Sequence, residues 1–211
     1  KTDTMGNYPI FSFDVEHPGL YTITSYNGGG SWTHIITNPP ATGYWEAGTV
    51  DEIDFDAIDK TGWANDWYVE RSYPLHTYGK SFIAGPDSDY SIASKPVGQI
   101  LEIVPLTNIT EAGKGDFQFQ VLYQGQPFSD IELIAQKVGD DTKMSGMTDA
   151  EGKVSLNLST ADEFREWVVV ADTLMDSRVV EAKDAPRGEA SNEKTFVGPV
   201  YRATVVLRTD F

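Results

Sequence analysis

The sequence predicts an all-β chain folded as two β-sandwich domains in tandem, and three observations carry that reading. Short runs of Val, Ile, Phe and Tyr alternate with polar residues, the pattern of strands with one buried face. Nineteen Gly and eleven Pro separate these runs as turns. A dense apolar run from Gln99 to Leu106 ends at Pro105-Leu106, and the polar, Gly-rich stretch Thr107 to Gly115 behind it reads as a connector. The expected domains are therefore residues 1–110 and 113–211.

At 211 residues the chain can bury one large core or two small ones. Hydrophobic residues at 40% and aromatics at 12% exclude a disordered chain. Sixteen Lys+Arg against 32 Asp+Glu give a net charge of -16, which repels nucleic acid and anionic membrane surfaces and concentrates cations. With no cysteine there are no disulfides, thiolate metal sites or cysteine nucleophiles. No apolar run reaches the roughly 18 to 20 residues of a membrane span. The chain opens at Lys1 with neither an initiator Met nor a signal-like segment, and reads as the processed product of an exported protein, periplasmic or extracellular.

In chain order, Pro9 to Val15 and Leu20 to Ser25 alternate as strands around a Pro18-Gly19 corner. The phrase Phe13-x-Val15-x-x-Pro18-Gly19-x-Tyr21-x-Ile23 is common in immunoglobulin-like sandwiches, where a Tyr strand follows a tight corner. Asn27 to Gly30 reads as a flexible turn, and it is no phosphate loop, because Ser31 to Ile36 continues as a strand. Residues 44–67 form a Trp-rich acidic insertion with Trp45, Trp63 and Trp67, and with room for one short helix around Asp54 to Lys60. Val69 to Leu75 and Tyr78 to Ala84 read as two strands. The second half reads more cleanly. Asp116 to Tyr123 puts Phe117, Phe119, Val121 and Tyr123 on one face, Ile131 to Val138 returns, and Thr148 to Gly152 turns the chain into Lys153 to Leu158. Trp167 to Ala171 has the continuous apolar character of a central strand. A charged stretch, Asp184 to Lys194, precedes the last strand, Tyr201 to Leu207. The fold class is thus two tandem immunoglobulin-like/prealbumin-like β-sandwich domains.

Four segments carry a family resemblance. They are Tyr78-Gly-Lys-Ser-Phe82, Val97-Gly-Gln-Ile-Leu-Glu-Ile-Val-Pro-Leu106, Gly115-Asp-Phe-Gln-Phe-Gln-Val-Leu-Tyr-Gln-Gly-Gln-Pro127 and Thr148-Asp-Ala-Glu-Gly-Lys-Val154. In these the chain resembles the DUF4198 family of bacterial envelope proteins. The resemblance implies a periplasmic protein associated with nickel or cobalt uptake, partnered by a membrane transporter component. Family members usually begin with a His-containing segment, which this chain starts after, so no residue is carried over for it.

The three histidines, His17, His34 and His76, are the candidate metal ligands, with Asp14 and Glu16 beside His17 to complete a shell. Imidazole with carboxylate suits nickel, cobalt and zinc. No HxH, HxxxH or HExxH spacing exists, so any such site is assembled from distant residues. Each histidine also has an ordinary reading, His17 as a turn residue and the other two as sheet residues. Asp54-x-Asp56 and Asp87-x-Asp89 are calcium-like pairs without the EF-hand Gly and spacing. No Gly-x-Ser-x-Gly elbow or outstanding carboxylate pair suggests an enzyme. The expectation is a non-enzymatic protein that binds or delivers a divalent metal ion. The competing expectation is a surface module recognising carbohydrate or protein through Trp45, Trp63 and Trp67.

Overall fold

The computed structural model describes residues 2–5, 8–11, 17–38, 42–63, 66–139, 141–160, 166–174, 176, 178–183 and 195–208. The described residues form an all-β sandwich. Its strands in chain order begin with β1 (Thr2–Met5), β2 (Tyr8–Phe11), β3 (Leu20–Asn38), β4 (Thr42–Ala47) and β5 (Asp66–Ala84). They continue with β6 (Leu101–Pro105), β7 (Asp116–Tyr123), β8 (Gln126–Pro127), β9 (Glu132–Lys137) and β10 (Lys143–Met147). The last are β11 (Lys153–Asn157), β12 (Glu166–Asp172), β13 (Glu181–Lys183), β14 (Thr195–Val197) and β15 (Val200–Arg208). Among the described residues, no helix is long and apolar enough to cross a membrane.

The small sheet runs β11-β7-β6, with β8 also paired to β7. The large sheet runs β10-β9-β12-β15-β5-β14-β13, and β3 lies on the free side of β5 with β4 beyond it. Strands β1 and β2 pair separately. The expected junction at 110–113 falls between β6 and β7, which are antiparallel neighbours in one sheet. Strand β5 from the first half likewise pairs in parallel with β15 from the last. One core draws on both sides of the junction, from Leu20, Phe82, Leu101 and Ile103 to Phe117, Trp167 and Val205. The connector carries a 3-10 turn, Ile109–Glu111, and leads from one strand to its neighbour in the same sheet, so it joins strands within the sandwich.

The alternation read in β7 is physical. Phe117, Phe119 and Val121 are fully buried, while Asp116 and Gln118 point outward. Strand β12 sits between β9 and β15, with Trp167, Val169 and Ala171 buried and Val168 and Val170 half-buried on the outer face. The corner before β3 is closed as the sequence suggests, because the Tyr21 hydroxyl donates to the carbonyl of His17 at 2.9 Å.

Two expectations fail in the first half. Residues 27–30 do not turn the chain; they form an irregularity within the continuous strand β3, between Gly28 and Ser31, with Gly30 in the left-handed region at φ +83. Residues 69–75 and 78–84 belong to one strand, because His76 and Thr77 pair with both β3 and β15. Strands β3 and β5 are 19 residues each, about 60 Å at the rise of an extended chain. Their inner ends enter the core through Leu20 and Phe82, and their outer halves extend into a ribbon shared with β4 and β14.

The ribbon carries a second, smaller core on one face. Thr33, Ile35, Val69 and Ser72 are buried there under Val50 of the chain that follows β4. Thr33 Oγ1 bonds the Gly48 carbonyl at 2.8 Å and Ser72 Oγ at 2.9 Å, and the Val50 amide donates to Ser72 Oγ at 2.7 Å. The described part of the insertion is a series of turns with no helix at 54–60. The charged stretch 184–194 lies outside the described residues.

Candidate functional site

Strand alternation sends Tyr44 and Trp45 to opposite faces of the ribbon. Tyr44 pairs with Ile35, on the side of the second core, and Trp63 stacks on it at 5.3 Å. Trp67 packs edge-on to Trp63 at 5.7 Å and stacks on Phe55 at 6.1 Å, with the Lys60 ammonium over its ring and bonded to the Phe55 carbonyl. Trp63 and Trp67 thus belong to the packing of the insertion against the ribbon. Trp45 is on the other face, 50% exposed, stacked on His34 at 4.4 Å. The three tryptophans do not share one surface.

On Trp45's face, four strands contribute one rung. Phe196 of β14 lies opposite Arg71 of β5, Arg71 opposite His34 of β3, and His34 opposite Trp45 of β4. At about 4.8 Å per strand the rung is roughly 14 Å wide. The next position adds Trp32 and Tyr73, which are cross-strand partners, and Tyr73 meets the edge of Trp45 at 6.4 Å.

A β-bulge completes the site. His34 pairs with Arg71 and Ile35 with Val69, so Glu70 is an extra residue with no partner across β3. Val69 and Ser72 both remain in the second core, and the Glu70 carboxylate turns to the open face. There Glu70 Oε2 accepts from His34 Nδ1 at 2.7 Å, Arg71 Nε at 2.8 Å and Arg71 Nη2 at 2.6 Å. Partial burial pushes this carboxyl up, but the hydrogen bonds from His34 and Arg71 and the Arg71 charge outweigh it and hold Glu70 below its ordinary value. An ionised carboxylate only accepts, so the His34 proton sits on Nδ1. The His34 ring lies over Gly43, where a Cβ would stand 2.3 Å from Nε2.

Beside the rung is a cavity of about 110 Å³ between β5, β14 and the chain after β12. Its walls are Tyr73, Leu174, Val180, Phe196, Val197 and Val200. Glu70 and Arg71 form its polar end. Burial raises the Tyr73 hydroxyl above its ordinary value, with Arg71, Asp172 and Arg202 as its charged surroundings.

The histidines are placed apart. His17 is exposed at the corner before β3. His76 is five residues along β5 from His34's partner Arg71, on the opposite face and on the order of 17 Å away. Its Nδ1 shares a hydrogen bond with the Tyr26 hydroxyl at 2.8 Å, and its ring lies between Tyr26 and Tyr201 at 6.1 and 5.4 Å. Asp14 and Glu16 lie outside the described residues. Among the described residues no three His, Asp or Glu side chains group as a metal site. The calcium-like pairs make local turns instead: Asp54 Oδ1 accepts from the Asp56 amide, and Asp89 Oδ1 caps the 3-10 turn Tyr90–Ser94. Glu70, Arg71, Tyr73 and Phe196 carry no sequence motif, and the adjacent opposite charges of Glu70 and Arg71 within a strand are their one local signal.

No curated protein and no solved structure matches the chain. A family model described as a domain of unknown function, DUF4198, matches residues 1–169, a span that holds His34, Trp45 and Glu70, and the chain belongs to that family.

Proposed function

We propose that the protein is a non-enzymatic recognition module of the bacterial envelope that binds carbohydrate on the open face of its ribbon. The observation that carries this reading is the rung Phe196, Arg71, His34 and Trp45 with a half-exposed indole at its end. An aromatic ring offers the apolar face of a sugar a flat partner, and a few convergent polar groups fix orientation. Trp45 supplies the first, with the 39% exposed Trp32 on the same face, and Glu70 and Arg71 supply the second. Trp63 and Trp67 support this face from behind. The test is calorimetric titration with a panel of neutral oligosaccharides, using Trp45→Ala as the control. Saturable binding that the substitution weakens at least about tenfold supports the reading; no binding by any member of the panel overturns it.

One observation favours a second reading, in which the protein binds nickel or cobalt and hands it to an uptake transporter. The carboxylate of Glu70 on His34 Nδ1 leaves Nε2 as the lone-pair nitrogen, the arrangement that orients metal-bound histidines. In this reading His34 is one ligand and a partner supplies the others, because His17 lies before the far end of the long strand β3. Titration with nickel, cobalt, zinc and calcium tests it. A saturable site lost in His34→Ala supports metal handling, and a site indifferent to that change excludes His34.

A further inference from the structure

We propose that the cavity beside Tyr73 is an acetamido pocket, so that the ligand of the open face is an N-acetylated sugar. This rests on the carbohydrate reading above and narrows it to a class of sugar.

The cavity's size sets the first limit. An apolar cavity of about 150 Å³ stays dry and accepts benzene. At about 110 Å³, with walls from Leu174, Val180, Phe196, Val197 and Val200, this one takes a smaller apolar group. The second limit is a free acceptor at the polar end. All three bonds from His34 and Arg71 go to Glu70 Oε2, and among the described residues no donor reaches Oε1. A ligand N–H or O–H completes that oxygen. The third limit is charge. Arg71 already offsets Glu70, so the mouth favours an uncharged donor over an ammonium or a carboxylate.

An acetamido group meets all three limits. Its N–H donates to Glu70 Oε1, and its methyl, at the other end of a planar amide, enters the apolar walls. A hydroxyl in its place bonds Glu70 and leaves the cavity empty. An alkyl group fills the cavity and leaves Glu70 unmet. The sugar ring then extends along the rung toward Trp45, whose edge contact with Tyr73 joins the stacking surface to the pocket.

The test compares tri-N-acetylchitotriose with cellotriose, which has hydroxyls where the former has acetamido groups, by calorimetry on the full chain. The expected result is binding of the acetylated trisaccharide at least about tenfold tighter, a difference of about 1.4 kcal/mol. Val197→Phe, which fills the cavity, is expected to bring the two within about twofold, while Trp45→Ala weakens both. Phe196→Ala, at a half-exposed position, opens the same pocket without adding bulk and is expected to reduce the preference as well. Equal binding of the two sugars by the unsubstituted chain, still sensitive to Trp45→Ala, overturns the pocket and leaves the carbohydrate face standing. Binding of neither sugar overturns the pocket, and the panel titration above then decides the carbohydrate face.

Discussion

Lys80 Nζ donates to Glu102 Oε1 across 2.6 Å, with both side chains only 1% exposed. The pair ties β5 of the large sheet to β6 of the small one. Glu102 also accepts from the backbone amides of Val97, Gly98 and Gln99 at 2.8, 2.9 and 3.3 Å, so one carboxylate anchors the loop that leads into β6. Burial pushes the Lys80 ammonium down, and its contact with Glu102 pulls back up against that; the net position is below the ordinary lysine value. Its partner's amide bonds keep the carboxylate in place.

Removing one member of such a pair leaves the other as an uncompensated buried charge. Lys80→Met is therefore expected to destabilise the fold by about 3–5 kcal/mol. Adding Glu102→Gln should recover part of that loss, because no charge is left behind and the amide oxygen still accepts from the Gly98 and Gln99 amides, although its NH2 then faces the Val97 N–H. Urea unfolding of the two variants at neutral pH measures both. A loss below about 1 kcal/mol for Lys80→Met would show that water reaches the carboxylate and that the pair is not buried as described.

The sequence made the sandwich legible where a pattern is local. The alternation of Phe117, Phe119 and Val121, the turn at Thr148 to Gly152 and the Tyr21 corner are all contained in a few consecutive residues. The recognition face is not. Val69-Glu-Arg-Ser-Tyr73 suits a regular strand as well as a bulged one, and only the pairing with β3 reveals that Glu70 is the extra residue. Phe196 reaches Arg71 from a strand 125 positions away. The sequence places Trp45, Trp63 and Trp67 in one insertion, but β4 pairs with β3 and sends Trp45 to the face opposite the others. Gly28 to Gly30 has turn composition, yet the long pairing of β3 with β5 absorbs it as an irregularity. Local composition proposes a break, and cross-strand hydrogen bonding overrides it.

Gly43 is required by close approach. An alanine there would place its Cβ 2.3 Å from His34 Nε2 and 3.1 Å from Cε1, so the ring must leave its stack on Trp45 and its bond to Glu70. Gly43→Ala is expected to abolish the protected Nδ1 proton signal of His34 in nitrogen-edited NMR spectra, with a stability loss of about 1 kcal/mol. A retained signal with an unchanged chemical shift would mean that the ring and Gly43 separate easily.

Gly152 closes the turn into β11 at φ +71, where a Cβ would lie 2.6 Å from the Val121 carbonyl and 2.8 Å from the Phe128 amide. Those neighbours are backbone and are themselves held, since the Val121 amide donates to the Gly152 carbonyl at 2.8 Å and the Phe128 amide to the Val121 carbonyl at 3.0 Å. Neither moves without opening the small sheet. Gly152→Ala is expected to cost about 2–3 kcal/mol in chemical unfolding, more than the left-handed backbone alone would account for. A cost below about 1 kcal/mol would indicate that the turn relaxes.

The ribbon face should weaken in acid through Glu70. Partial burial raises its carboxyl, but His34 and Arg71 together outweigh that and hold it below the ordinary value of 4.5, so the folded state prefers the ionised form. The stability this contributes is fully present above the unfolded value and is lost as pH falls through the lower folded value. Asp176 behaves in the same sense, with hydrogen bonding to Arg178 as the main cause of its lowering from 3.8. The melting temperature of the chain is therefore expected to fall as pH drops from about 5 toward 3. Glu70→Gln removes one titrating group, so its melting temperature should lie below that of the unsubstituted protein at pH 6 and converge on it near pH 3. Parallel curves for the two proteins across that window would mean that Glu70 titrates alike in the folded and unfolded chains, and that the His34–Glu70–Arg71 contacts contribute nothing to holding the bulge.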